Sequence, residues 1–161
     1  MRILKDVEEQ EAKKYIEEAI KIAKQASCQR SKCGSIIVKG NAIIGEGFNS
    51  PPNNKESQRR CSNNKEEYHK KVTDKTCCVH AEQRAIIDAL KKNPEKLVNS
   101  KLYFIRLDNN NSPQLAGKPY CTICSKMALD AGIKEFVLWH EHGITSYNTE
   151  EYNLLSYQYK E

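Results

Sequence analysis

Two short stretches of this chain carry the residue types that do chemistry, Cys78-Val79-His80-Ala81-Glu82 and Cys121-Thr122-Ile123-Cys124. Cysteines three apart on a helix share one face, so the sulfurs of Cys121 and Cys124 converge. Two thiolates at that spacing suit tetrahedral zinc, and a helix N-terminus helps keep them deprotonated. His80 brings the ligand count to three and leaves a fourth position for water, the pattern of a catalytic site; a structural site is normally closed by four protein ligands. Glu82, two residues further on, can lie beside that water without binding the metal. Zinc lowers the pKa of the water towards neutrality, and a carboxylate there can take its proton and deliver it to a departing amine. Taken singly, each group has a plainer explanation. Cys-x-x-Cys also serves as a redox pair or as simple buried filling, and an acid in a first helical turn is favourable with the helix dipole. The two stretches together favour metal.

These groups need elements to hold them. From Asp6 to Ser27, Tyr15, Ala19, Ile22, Ala23 and Ala26 recur at the helical period, with Ile16 and Ile20 widening the stripe, which predicts an amphipathic helix. Ser35 to Lys39 and Ala42 to Gly45 read as a hairpin turned by the positive φ values of Gly40-Asn41. A helix resumes at His80, with Ala81, Ala85, Ile86, Ala89 and Leu90 on its buried side, and Asn93-Pro94 ends it. Lys101 to Leu107 and Lys134 to Trp139 are strand candidates. Cys121 to Ala131 reads as a helix closed by Gly132, and Glu150 to Tyr159 as a terminal helix. Helices alternate with strands after an opening hairpin, the pattern of an α/β layered sheet. No repeat or linker divides the chain, so residues 1–161 are expected to form one domain.

The 161 residues are 39% apolar and 29% charged, the balance of a globular chain and not of a disordered or fibrous one. Met1 to Gln10 mixes charges of both signs with no apolar run, and no later stretch is long enough to span a bilayer. A cytoplasmic location without membrane contact is therefore expected. Seven cysteines, an odd number behind no secretion signal, point to metal binding or catalysis and away from a disulfide framework. The net charge of +5 accommodates a phosphate-bearing substrate without by itself indicating nucleic acid.

A polar insert occupies about residues 50–77, opened by Pro51-Pro52-Asn53-Asn54; its residues 53–76 carry seven Lys or Arg against four Asp or Glu. A loop of that length without its own core is functional, disordered or pinned by something such as a metal. Cys61, His69, Cys77 and Cys78 invite a second, structural zinc, which would order a segment with little apolar surface to bury. Against it, Cys77 and Cys78 are adjacent, and both ligating one ion would strain the backbone; the alternative is free cysteines in a flexible loop. Cys28 and Cys33 read as small buried hydrophobes. His140 and His142 follow a strand end and are expected to be exposed. Tyr147, Tyr152, Tyr157 and Tyr159 could stack bases, though Tyr152, Leu155 and Tyr159 at helical spacing read more simply as a packing face.

His-x-Glu followed by Pro-Cys-x-x-Cys is the signature of zinc deaminases, and the chain resembles the cytidine and deoxycytidylate deaminase superfamily, its deoxycytidylate branch in particular. His80-Ala81-Glu82-Gln83-Arg84-Ala85-Ile86 looks like the first signature helix of that family and Cys121-Thr122-Ile123-Cys124 like the second. Ser27 to Val38, followed by Gly47-Phe48-Asn49, is similar to the opening of the deoxycytidylate branch, and the match runs roughly from residue 10 to 140. In two places the chain departs from the pattern: Tyr120 stands between Pro119 and the first cysteine, and Gln83-Arg84 differ from the residues common in that branch. The resemblance implies a three-layer α-β-α fold with a mixed five-stranded sheet and one catalytic zinc on His80, Cys121 and Cys124, with Glu82 moving protons. It further implies substrate contacts at Asn49 and the Ala81 amide, a structural metal in the insert, and a homo-oligomer. The expected reaction is hydrolytic deamination of a cytosine nucleotide or nucleoside, deoxycytidylate first, with Arg30 or the basic insert meeting a phosphate. Two alternatives stay open. One is a deaminase acting on a base flipped out of single-stranded DNA or RNA, favoured by the basic insert and opposed by Glu150, Glu151 and Glu161. The other is a non-catalytic, zinc-stabilised binding module, which requires a fourth protein ligand and gives Glu82 no role.

Overall fold

Successive side chains of a strand point to opposite faces, and residues 32–39 use both: Ile36 and Val38 bury on one side, Ile37 on the other. A strand apolar on both faces must be covered on both, and it is. The computed structural model describes residues 1–160; Glu161 lies outside the described residues. In chain order it contains β1 (Arg2–Ile3), α1 (Asp6–Ala23), β2 (Lys32–Lys39), β3 (Ala42–Phe48), α2 (Ala81–Lys92), β4 (Lys101–Leu107), β5 (Pro113–Gln114), α3 (Thr122–Asp130), β6 (Glu135–His140), β7 (Gly143–Asn148) and α4 (Thr149–Tyr157). The five longer strands form a mixed sheet in the order β7-β6-β4-β2-β3, with the two-residue strands β1 on β7 and β5 on β4. Among the described residues only β4 and β6 pair in parallel.

Ala12, Ile16, Ala19 and Ala23 of α1 cover one face, against Ile36, Val38, Tyr103, Ile105 and Val137. Ala85, Ile86 and Ala89 of α2, Ala128 of α3 and Tyr152 of α4 cover the other, against Ile37, Leu102, Phe136 and Leu138. This is the expected three-layer α-β-α arrangement. β7 is absent from the sequence reading: Glu141-His142 turns the chain back so that His140 opposes Gly143 and Phe136 opposes Tyr147. In the first hairpin only Gly40 of the Gly40-Asn41 pair takes a positive φ, at 59°.

Two connections position the chemistry. Both β3 and β4 run antiparallel to β2, so they are parallel to each other and their carboxyl ends share one end of the sheet. The chain leaving β3 enters α2, and the chain leaving β4 enters α3. Crevices beyond the carboxyl ends of such strands are where ligands bind in open α/β sheets. α2 lies unusually close to β3. A Cβ at Gly47 would sit 2.3 Å from the carbonyl oxygen of Ala81, and one at Gly45 would sit 2.4 Å from that of Ala85. Glycine on the strand facing alanine on the helix sets the depth of the first turn of α2.

The insert is pinched at its neck, where Val79 N–H donates to Ser50 O at 2.9 Å, and it contains only short 3-10 turns at Pro52–Asn54, Glu56–Gln58 and Lys65–Glu67. His140 is buried, contrary to its expected exposure. A carbonyl can only accept, so His140 Nδ1–H donates to Ala116 O at 2.9 Å, leaving Nε2 to accept from the Tyr147 hydroxyl at 2.9 Å. Burial holds its pKa down. It thus pins the stretch that leads to Tyr120 and α3. No helix among the described residues is long and apolar enough to cross a membrane.

Candidate active site

His80 is the N-cap of α2 and Cys121 the N-cap of α3, so two helices begin at one cavity of about 270 Å³. His80 Nδ1 lies 3.2 Å from Cys124 Sγ and 3.3 Å from Cys121 Sγ. Zinc bonds of about 2.0 Å to nitrogen and 2.3 Å to sulfur place tetrahedral ligand atoms about 3.5 Å apart, so one nitrogen and two sulfurs at these separations fit that ion. The potential ligand atoms of all three lie within 4.8 Å of one another, and no fourth His, Cys, Asp or Glu joins the group among the described residues. The Cys124 thiol and the neighbouring imidazole hold Cys121 at about 4, while the same bond and burial push Cys124 well up. The Cys121 thiolate in turn raises His80 to about 9.

Glu82 is buried in the same cavity. Burial pushes its carboxyl up, the Cys121 thiolate adds to the rise, and His80 opposes it. Ala81 is fully buried as the first helical residue, with an N–H that has no acceptor inside the helix. The two unusual residues after Glu82 have local work. Gln83 Oε1 accepts from His80 N–H at 3.1 Å, and Arg84 Nη2 donates to Pro51 O at 2.7 Å, over the Phe48 ring. One caps the helix and the other ties the insert to it. Tyr120 lines the cavity, and its hydroxyl accepts from Arg106 Nη2 at 2.8 Å.

Asn49 also lines the cavity. Its Oδ1 accepts from Cys33 N–H at 2.8 Å, and its Nδ2 donates to Ser31 O at 3.0 Å and to Ser31 Oγ at 3.5 Å, which leaves one lone pair on Oδ1 for a ligand. Arg30 reaches the cavity but is engaged elsewhere: Nε donates to Cys61 O at 2.7 Å and Nη2 to Asn63 O at 2.9 Å, bracing the insert.

The insert brings a second group of sulfurs to the cavity wall. Cys61 Sγ lies 3.1 Å from Cys77 Sγ and 3.6 Å from Cys78 Sγ, and Cys77 and Cys78 are 3.5 Å apart. Cys28, read from sequence as buried filling, completes a group with Cys61 and Cys78 whose sulfurs lie within 4.8 Å of each other. His69 is not brought there. It is exposed, and its Nδ1 accepts from Lys71 N–H at 3.2 Å. Burial raises Cys61, but hydrogen bonds from the Gln29 backbone, Cys77, Cys78 and Arg59 outweigh it and bring the thiol to about 6. Cys78 is pushed up by burial. No spacing in the sequence points to Cys28 as a member of this group. Arg59, donating to Ser27 O at 2.7 Å, carries the Cys28 segment to the insert.

Residues 9–140 match the family model described as the cytidine and deoxycytidylate deaminase zinc-binding region, and the chain belongs to that family. A curated deoxycytidylate deaminase of Schizosaccharomyces pombe is 29% identical over 143 residues, which is 86% of this chain; the chain spans 38% of the length of that relative. A crystal structure of the dCMP deaminase of cyanophage S-TIM5 in complex with dCMP and dUMP is 26% identical, with a TM-score of 0.55, covering 83% of this chain and 82% of that one. A cytidine deaminase from Burkholderia pseudomallei shares the fold alone, at 15% identity and a TM-score of 0.57 over 87% of this chain and 94% of its own.

Proposed function

We propose that this chain hydrolyses the exocyclic amine of a cytosine nucleotide, converting deoxycytidylate and water to deoxyuridylate and ammonia. The observation that carries the proposal is a buried carboxyl, Glu82, in one cavity with a three-ligand group that fits zinc. The choice of nucleotide rests on the cyanophage enzyme and its two ligands. His80, Cys121 and Cys124 would hold the zinc, which would supply the Lewis acidity that makes water a nucleophile near neutral pH. Glu82 Oε takes one proton from the attacking water and passes it to the ring nitrogen, then takes the second from the newly attached hydroxyl and passes it to the amine, which departs as ammonia. Its raised pKa suits a group that must hold a proton between those transfers. The Ala81 N–H and the remaining lone pair of Asn49 Oδ1 orient the base and sugar.

Three ligands and a buried acid argue against a non-catalytic zinc module. For a nucleic-acid substrate, two of the four tyrosines suited to stacking, Tyr147 and Tyr152, are buried in the core, so the free nucleotide is preferred. Ammonia release from cytidine, deoxycytidine, deoxycytidylate, adenosine, guanine and a cytosine-containing oligonucleotide tests the reading. Turnover of deoxycytidylate above all others is expected, and activity on the oligonucleotide alone would overturn it.

A second, structural zinc on Cys28, Cys61 and Cys78, with Cys77 alongside, belongs to the same proposal. Metal analysis of the purified protein is expected to give two zinc ions per chain. Cys61→Ser should bring the count to one and expose the insert to proteolysis, while His69→Ala should leave it at two. A wild-type count of one refutes this site. The expected homo-oligomer is checked by sedimentation of the same preparation.

A further inference from the structure

The cavity is lined by five cations, Arg30, Arg60, Lys65, Lys75 and Arg106, against one carboxylate, Glu82. Glu82 is already assigned to the proton, so the positive charge is there for something that arrives. The cations are not equivalent. Arg30 braces the insert through two backbone carbonyls, and Arg60 Nη1 donates to Gln58 O at 2.9 Å. Lys65 and Lys75 belong to the insert.

Arg106 differs from all four because the sheet itself delivers it. It follows Leu102 and Phe104 at the strand period on the face of β4 that packs against α2 and α3. At the last of these positions the apolar row runs out of the core into the cavity, opposite Cys33 in the register with β2. Arg106 makes no salt bridge among the described residues. Its hydrogen-bond partner is a neutral hydroxyl, Tyr120 at 2.8 Å, the Cys33 thiol beside it is kept protonated by burial, and its Nε is buried without a hydrogen bond. A guanidinium half out of water without an anion is costly, and a planar fork of five donors matches the oxygens of a phosphate. Tyr120 accepts from Arg106, so its own hydroxyl hydrogen is free to point at the same anion.

We propose that Arg106, with the Tyr120 hydroxyl beside it, seats the 5′-phosphate of the substrate and makes the enzyme select a nucleotide over a nucleoside. The assignment rests on the deaminase reading for the identity of the ligand, and it moves phosphate recognition from Arg30 to a strand residue outside both zinc motifs. Tyr120, the extra residue between Pro119 and Cys121, then has a purpose: it places a hydroxyl where the usual spacing has none.

The test is calorimetric titration of the zinc-loaded protein with dUMP and with deoxyuridine, which differ only in the phosphate. Arg106→Gln is expected to weaken dUMP by about 100-fold and to leave deoxyuridine within about threefold. Tyr120→Phe should weaken dUMP by about fivefold and deoxyuridine not at all. Inorganic phosphate should compete with dUMP on the wild-type protein, which keeps the proposal testable should Arg106→Gln fold poorly. Equal weakening of both ligands, an undiminished preference for dUMP in Arg106→Gln, or no competition by phosphate would overturn it. Ammonia release separates this from the parent reading. A wild-type protein that binds dUMP through Arg106 but releases no ammonia from deoxycytidylate sinks the deaminase and keeps the phosphate seat.

Discussion

Glu82→Gln is expected to lower turnover of deoxycytidylate by about a thousandfold or more, with zinc content and dUMP affinity unchanged. The two side chains have the same shape, so the cavity and the ligand group remain. The amide cannot take a proton from water or return one, and that transfer is the only part of the reaction removed. Stability should hold or rise slightly, because burial already disfavours the charged form of Glu82. Ammonia release by single turnover, beside metal analysis of the same sample, makes the measurement. Residual activity above about a tenth of wild type would remove Glu82 from the proton path, since general acid–base groups contribute about a hundredfold or more.

Gly47→Val is expected to destabilise the fold by about 3 kcal/mol or more. The new Cβ would lie 2.3 Å from Ala81 O and 2.4 Å from Ala85 N, both backbone atoms of α2. Neither can rotate away. The helix must lift, and it carries His80 and Glu82 with it, so zinc affinity should fall together with stability. Gly40→Ala is the control: its added Cβ meets nothing within 4 Å, and only its φ of 59° costs anything, about 1 kcal/mol. Urea denaturation followed by zinc analysis separates the two. A Gly47→Val protein with wild-type stability would mean that α2 does not rest on β3 as described.

The elements carrying the metal motifs could be read from sequence because each holds a pattern of its own: the alanine stripe of α2, the stop at Asn93-Pro94, and the cysteine pair entering α3. What could not be read depends on pairing between distant segments. Ile144 and Tyr147 serve opposite faces of β7, and so short a strand shows no alternation until β6 lies beside it. His140 looks exposed until Ala116 and Tyr147 close around it. Cys28 joins Cys61 and Cys78 through arginine bridges that no spacing rule describes. Arg106 is one more charged residue in a strand pattern until the register sets it opposite Cys33 in the cavity. Arg30 shows the converse, a cation of the right type in the right stretch whose donors the backbone of the insert had already taken.

The insert at about 50–77 and the connection 108–120, which holds only the short β5, each lead into a ligand-bearing helix, while the helices themselves are seated on the sheet by close packing. Lengthening or shortening either segment therefore alters what the cavity admits without moving the groups that react. Substrate preference and reactivity can drift independently over evolutionary time, and a designer could graft a new entrance onto the same reaction centre by changing residues that touch neither Glu82 nor its neighbouring sulfurs.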